Sequence, residues 1–432
     1  MFAKNIKTKQ AEIHQWTEEE KKDTYSTGFW CPECDGYTPY EKGTVKKDSL
    51  RISENIAIAW NDGKVGKNSH ILALGSPASG KTRSVVLPNL LKASGSYIVV
   101  DPDGSLCEES KEKLSENGYG INVLDISDPQ HSEKYNPLRY INSDEDVKAL
   151  VTCILKNTNS GENKDLLFEK AESSLLQAVF FYMTRHCEIE KRTLREAYNL
   201  CTAALDRREE FDALFEALRK SAAFDPTVKC HDDFRNLPEQ TAVSVCMAAA
   251  CCLKDFDVEP EADISSENGI NLNHIADTKT AVFLTGFKTS VKQSVLIPIF
   301  CMQAFRVLMH HAEYDFVHCV LPEHVTVLLD ELPNIGFIPE LCRYISTCGL
   351  YGISVIMAAQ TGNQLKYLYH ETADEIINKC AAIVLLNAGE SMIESIGRNL
   401  PKDTLKQLPD NHCLVFMQDM PVTVDEKIRE NI

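Results

Sequence analysis

The chain has 432 residues, 44% hydrophobic and 25% charged, the proportions of a soluble globular protein long enough for two or three cores. Its formal net charge of -18 makes the averaged surface repel polyphosphate backbones, which excludes diffuse electrostatic binding of nucleic acid and confines any such contact to a loop or channel. Sixteen cysteines, scattered and often inside apolar runs, exclude a small disulfide scaffold and read as reduced cytosolic thiols.

The opening MFAKNIKTKQ is basic, but no apolar core follows it, so it does not read as a signal peptide. Residues 1–50 form a polar segment rich in Lys and Glu without a convincing period, and Glu18 to Glu20 read as a solvated face. Cys31-Pro-Glu-Cys34 has zinc-knuckle spacing but no second pair at a comparable distance, so zinc and ordinary thiols in a turn both stay open. The most apolar windows, Val295 to Phe305 and Ala242 to Leu253, are shorter than the ~20 residues of a spanning helix. A cytoplasmic protein is expected, with any membrane attachment peripheral.

From Arg51 the texture changes to short apolar runs bounded by turn residues: HILAL at His70, SYIVVD at Ser96, GINVLDI at Gly120, TAVFLTG at Thr280, HVTVLLDE at His324, GISVIMAAQ at Gly352, AAIVLL at Ala381 and CLVFMQ at Cys413. Such runs fit strands buried on both faces of a parallel sheet, especially with helical segments between them.

The first of these strands runs into Gly75-Ser76-Pro77-Ala78-Ser79-Gly80-Lys81-Thr82, which satisfies G-x-x-x-x-G-K-[ST], and a helix is predicted over Thr82 to Leu91, bent at Pro88. Glycines let such a loop wrap so that its N–H groups face a phosphate at a helix N-terminus. Lys81 would reach the β/γ-phosphates of ATP, and the Thr82 hydroxyl would ligate Mg2+.

Between Asp144 and Asp263 the strand texture disappears. In the run from Asp165, Leu167, Ala171, Leu175, Val179 and Met183 repeat every four residues, with Glu169, Glu172, Ser173 and Gln177 on the opposite, polar face. The expected organisation is an α/β nucleotide-binding domain with a mainly parallel sheet, its parts at 51–150 and 265–432, interrupted by an all-α domain at 151–264. Cys251 and Cys252 read as core packing, and His310 and His311 as a helix end.

A phosphate loop needs a carboxylate on the metal side. VTVLLDE at Val325 ends a strand in Asp330, placed to hold Mg2+ through water, and Glu331 follows as the base that polarises attacking water. Gln360, at the end of GISVIMAAQ, could sense the γ-phosphate or orient that water; a polar strand-end residue is the plainer reading.

Taken together, GSPASGKTRSVVLPNLL, SYIVVDPDGSL, KYNPLRYI, LLFEKAESSLLQAV, VTVLLDELPNIGFIPEL, GISVIMAAQTGNQLKYLY and LPDNHCLVFMQDMPV resemble, in order, the type IV secretion coupling proteins, the TraG-like DNA-transfer ATPases of conjugation. The resemblance covers Arg51 to the C-terminus. It implies a RecA-like P-loop fold with an inserted all-α domain and a homo-oligomeric, hexameric motor. That motor would take a relaxase-bound single DNA strand to type IV secretion channel components. The alternative is a nucleotide-binding recruitment scaffold with weak or no ATPase activity. Three departures stand out: no N-terminal membrane helix is visible, the family's DPKGE reads Asp101-Pro102-Asp103-Gly104-Ser105, and the family's arginine before GIS matches Gly349. Arg343 and Arg398 are the candidates to supply that charge across a subunit boundary.

Overall fold

The computed structural model describes residues 13–15, 28–31, 36–38, 48–60, 68–158, 165–222, 224–259, 263–288, 293–387, 389–397, 409–417 and 422–429. In chain order the strands are β1 (Ile13–Gln15), β2 (Gly28–Cys31), β3 (Gly36–Thr38), β4 (Ser49–Arg51), β5 (Ile56–Ala59), β6 (Ile71–Gly75), β7 (Ser96–Asp101), β8 (Gly120–Asp125), β9 (Thr280–Thr285), β10 (Val325–Leu329), β11 (Ile353–Ala359), β12 (Ala382–Leu386), β13 (His412–Met417) and β14 (Val422–Glu426). All eight apolar runs are strands. They build a sheet in the order β1-β14-β13-β12-β6-β11-β10-β7-β9-β8, parallel except where β13 runs against β12 and β14. A smaller sheet, β3-β2-β5-β4, and β1 fall partly in the stretch expected to lack periodic structure.

Every residue of β6, β7, β10, β11 and β12 is buried, which is why these strands read as continuous apolar runs instead of alternating ones. Their side chains still alternate between two layers. Leu72, Leu74, Ile98 and Val100 face a core shared with the helix Leu296–Asp315. Ile71, Ala73, Tyr97 and Val99 face the opposite layer, closed by Val85, Val86 and Leu90 and by Leu106 and Leu114 of the helix Ser105–Glu116.

Among the described residues six α-helices lie between β8 and β9: Asp144–Thr158, Leu166–His186, Leu194–Asp206, Arg208–Ser221, Pro226–Arg235 and Glu239–Leu253. Their apolar core, with Phe180, Phe211, Phe215 and Phe234, is continuous with that of the sheet. Tyr135 and Asn136 tie the junction: the tyrosine hydroxyl donates to Gln303 Oε1, and Asn136 Nδ2 donates to Arg192 O at 2.7 Å. The face assignment of Leu166–His186 needs correction at two points. Leu167 is 72% exposed, whereas Glu172 is fully buried and accepts a hydrogen bond from Cys252 Sγ at 3.4 Å. This helix packs against four others among the described residues, so its polar stripe meets protein instead of water. Cys251, expected in the core, is exposed. His310 and His311 lie within Leu296–Asp315, not at its end, and His311 bridges Asp277 and Asp315 at 3.0 and 2.7 Å.

A buried polar knot closes the N-terminal ends of the central strands. Ser69 and Ser354 hydroxyls share a hydrogen bond, His324 Nε2 meets Ser354 Oγ at 2.8 Å, and His70 Nδ1 accepts from Val355 N at 3.0 Å. Trp60 stacks on the His324 ring at 4.1 Å. Burial pushes His70 down to about 4 and His324 down to about 3, so both are neutral in the fold.

A histidine whose folded pKa is depressed gives stability that is complete above its unfolded value of 6.5 and is lost as pH falls toward the folded value. His324→Gln should be less stable than the parent by about 1 kcal/mol at pH 7.5. The urea-midpoint gap between the two should then narrow steadily as pH falls from 6.5 to about 4; a gap independent of pH would mean that His324 does not titrate with unfolding.

Candidate functional site

Strand β6 ends at Gly75, where a Cβ would lie 2.2 Å from Ser79 Oγ and 2.7 Å from Leu386 O, so the loop that follows can close only over glycine. Ala78 and Gly80 take left-handed conformations, φ 60° and 92°, and Ser79 N–H donates to Ser76 O at 3.1 Å. Left-handed residues alternating with ordinary ones turn successive backbone N–H groups inward, the geometry of an anion nest. The chain then winds into a wide π-helical turn, Thr82–Val86, in which Leu87 N–H reaches back to Thr82 O, before the short helix Leu87–Leu91. The bend expected at Pro88 is met by widening just before it, because proline offers no N–H to the preceding turn and its ring crowds the carbonyl there.

Lys81 is buried and its Nζ donates to Gly75 O at 2.7 Å and Ser76 O at 3.2 Å. Burial lowers its pKa, opposed by the charges of Asp330 and Glu331. Across from it, Thr82 Oγ1 donates to Asp330 Oδ2 at 2.8 Å, joining the loop to the end of β10. The other oxygen of Asp330 is buried without a hydrogen-bond partner. Burial pushes this carboxyl up to about 6, the neighbouring Glu331 charge adding and the Thr82 hydrogen bond opposing. Asp101, in register beside it because Leu329 pairs with Val100, is pushed to about 6 by its own burial. It accepts from Cys107 N at 2.9 Å through one oxygen, and its other oxygen has no partner.

Two desolvated carboxyls, each with an unsatisfied oxygen, beside a hydroxyl and an anion-binding loop form a fitting place for a hard divalent cation. Among the described residues no three His, Cys, Asp or Glu side chains converge as a metal cage. A cation here would therefore rest on Thr82, Asp330, water and phosphate oxygens.

Glu331 is held at φ 53° and ψ 49°, a left-handed posture that costs a glutamate about 1 kcal/mol or more, and it accepts from Asn334 Nδ2 at 2.7 Å. Its carboxylate lines the same cleft as Thr82 and Asp330, about 210 Å³ in volume. Gln360 follows β11, the strand between β6 and β10. Since Ala359 pairs with Leu74, Gln360 falls level with Gly75, half-buried, its N–H bonded to Gln364 Oε1 at 3.1 Å. Fold and register thus gather Gly75, Ser76, Pro77, Ala78, Ser79, Gly80, Lys81, Thr82, Asp330, Glu331 and Gln360 at one end of the sheet.

Other expected residues are not brought there. Gly349 is buried in the turn Cys348–Tyr351 that leads into β11, so it and Arg343 lie at the opposite strand ends, about 20 Å away along seven residues of strand. Arg343 is exposed and pairs with Glu340 at 3.2 Å. Arg398, Cys34 and the side chain of Cys31 lie outside the described residues.

Sequence reasoning missed two lysines. Lys288 reaches Asp103 Oδ2 at 2.8 Å in the cleft, and Lys427, just past β14, donates to Ser79 O at 3.2 Å and Asn387 Oδ1 at 2.8 Å. Both stand just beyond the C-terminal ends of strands, where side chains from neighbouring strands converge in open α/β sheets. That signal was present for Lys288, three residues past β9; β14 was not legible as a strand.

Residues 34–410 match the family model for Type IV secretory system conjugative DNA transfer. The conjugal transfer protein TraG of Rhizobium radiobacter is 22% identical over 339 residues, 75% of this chain and 50% of that protein. TraG of Agrobacterium fabrum is 23% identical over 323 residues, 71% and 46%. The chain thus spans about half the length of these curated relatives. Among solved structures, the bacterial conjugative coupling protein TrwBdeltaN70 in complex with sulphate superposes with a TM-score of 0.62 at 16% identity, over 84% of this chain and 86% of that one. The plasmid coupling protein TrwB in complex with ADP and Mg2+ gives 0.60 at 16% identity and the same coverage. VirB4 of Thermoanaerobacter pseudethanolicus gives 0.56 at 13%, covering 88% and 96%. At these identities the likeness is one of fold, and the fold is the RecA-like P-loop α/β architecture. No helix among the described residues is long and apolar enough to cross a membrane.

The contact at Gly75 has a direct consequence. Gly75→Ala should cost about 1–3 kcal/mol in denaturant unfolding, because Ser79 or the Leu386 carbonyl must move. Gly120→Ala, where a Cβ meets nothing within 4 Å and the backbone is not left-handed, controls for the loss of glycine alone; equal costs would remove the steric argument.

Proposed function

The chain belongs to the Type IV secretory system conjugative DNA transfer family, and on that premise we propose that it is an ATP-driven coupling protein that brings a relaxase-bound single DNA strand to a type IV secretion channel. The observation that carries this reading is the Thr82–Asp330 hydrogen bond, which joins a phosphate loop to a carboxylate strand with Lys81 and Glu331 on either side. TrwB, of the same fold, has been seen with ADP and Mg2+ and with an ATP analogue.

In this reading the N–H groups from Gly75 to Thr82 and the Lys81 ammonium hold the β- and γ-phosphates, the ammonium exchanging its loop carbonyls for phosphate oxygens. Thr82 and Asp330 would hold Mg2+, for which the unpartnered Asp330 oxygen is the fitting feature; when bound, the ion neutralises phosphate charge. Glu331 takes a proton from water, whose oxygen bonds to the γ-phosphorus. The bond from that phosphorus to the β–γ bridging oxygen breaks, and ADP leaves with the electron pair beside orthophosphate. Gln360, level with the loop, orients the water.

The inserted α domain in this reading is 151–264, within the nucleotide-binding parts 51–150 and 265–432; the helix Asp144–Thr158 crosses its first boundary. The assembly we propose, as the family resemblance implies, is a homo-oligomer, a hexameric ring, in which Arg343, at the strand ends opposite the site, would meet the nucleotide of another subunit. With a net charge of -18, DNA contact is confined to a local channel, and the protein works in the cytoplasm at the inner face of the membrane. Relaxase and channel proteins are its partners. The second reading, a recruitment scaffold with slow turnover, is favoured by the buried Gly349 in the family's arginine position.

An ATPase assay with and without single-stranded DNA, run with sizing chromatography, separates the two readings. Lys81→Ala should remove most Mg-ATP binding; equal affinity in the two proteins would refute the loop assignment. Glu331→Gln should keep nucleotide affinity while turnover falls by ~10²–10⁴-fold. Arg343→Ala should lower turnover without weakening binding, and a fast rate that survives it would show that this arginine is not needed.

A further inference from the structure

The cleft beside Asp330 carries a cation for which the chemistry above has no use. Lys288 lines it with Thr82, Asp103, Asp330 and Glu331. Two features build its position. After β9, Gly286 turns at φ +80°, at a point where a Cβ would lie 2.1 Å from Asp125 Oδ1 and 2.6 Å from Ser127 N, and this folds the following residues over the strand ends. Lys288 N–H then bonds to Pro102 O at 3.1 Å, while its ammonium meets Asp103 Oδ2 at 2.8 Å. Asp103 is itself fixed by Ser105, whose N–H and hydroxyl both donate to its other oxygen, at 3.3 and 2.8 Å. Two loops from adjacent strands, β7 and β9, thus hold one lysine at the mouth of the site.

We propose that Lys288 is a second cation of the nucleotide site, contacting the terminal phosphate from the wall opposite Lys81, with Asp103 holding it there until phosphate enters. The proposal rests on the ATP reading given above. Charge favours it: Asp103, Asp330 and Glu331 line the cleft, Lys81 serves the loop side of the phosphates, and Arg83 is turned to Glu109 at 3.1 Å. A polyphosphate entering such an acidic cleft needs a cation on the Glu331 side as well as the Lys81 side, and Lys288 lines the cleft with Glu331 and Asp330. The Asp103 pair can yield it. Side-chain exposures of 54% and 45% make this a weakly held, solvent-screened pair, and a lysine stem is flexible enough to swing to a phosphate oxygen. The lysine then supplies within one chain a charge of the kind that Gly349 cannot supply between chains.

The test uses the full chain with Lys288→Met, Lys288→Arg and Asp103→Asn. It measures ATP turnover and, separately, the affinities for Mg-ATP and Mg-ADP by a fluorescent nucleotide. Lys288→Met should lower turnover by ~10-fold or more and shrink the preference for ATP over ADP. Lys288→Arg should retain both, and Asp103→Asn, which keeps the cation, should lose much less than Lys288→Met. Equal losses in Asp103→Asn and Lys288→Met would reduce the pair to a tie between loops and overturn the proposal. So would an unchanged ATP-to-ADP preference in Lys288→Met, a readout that stands even where turnover is slow. Lys81→Ala, run beside them, reports on the nucleotide reading itself: retained binding there would remove that reading, whereas lost binding with an inert Lys288→Met would remove only the present proposal. Should Lys288→Met melt early, Lys288→Gln gives the same comparison with a polar stem.

Discussion

The site exists because parallel strands with both faces buried cannot slip. In β6, β11, β10 and β7 every side chain is packed into one of two apolar layers, so a shift of one residue would move each layer's set to the wrong side. With register fixed, residues far apart in sequence come together at one end of the sheet: Gly75 level with Gln360, and Asp330 level with Asp101 two residues before them. The Thr82–Asp330 hydrogen bond is the product of that register, since neither loop could find the other by local preference.

This explains what was legible in the chain and what was not. Strands buried on both faces announce themselves as runs such as SYIVVD and VTVLLDE, and the glycines and lysine of the phosphate loop have a spacing that backbone geometry dictates. Strand β14, VTVDE, alternates and ends in acids. It is defined by long-range contacts, among them Asp425, which accepts hydrogen bonds from Ser53 and Asn55 more than three hundred residues away. Face assignments within the helical block failed at Leu167 and Glu172 because a helix surrounded by helices has no single solvent side. Lys288 and Lys427 were missed for a related reason: each acquires meaning only from the strand end across from it.

The electrostatics follow from the same crowding. Asp101 and Asp330 stand on adjacent strands, both desolvated, and the Asp330 charge adds to the cost of charging Asp101. Lys81 is desolvated as well, which lowers its pKa, and the charges of Asp330 and Glu331 oppose that. In an acidic protein Lys81 and Lys288 thus flank a small acidic focus, so an anion would be drawn there by particular groups and not by the general field.

The Lys427 contact couples distant parts of the chain. Its ammonium rests on the Ser79 carbonyl of the phosphate loop, and the strand that carries it is pinned through Asp425 to the 53–55 turn. Linkage is reciprocal: whatever stiffens the loop also stiffens β14 and the turn beneath it, and whatever frees β14 loosens the loop. Amide exchange along Val422–Glu426 would then report on the stiffness of the loop. A protein that grips β14 would adjust phosphate affinity without touching a single residue of the cleft.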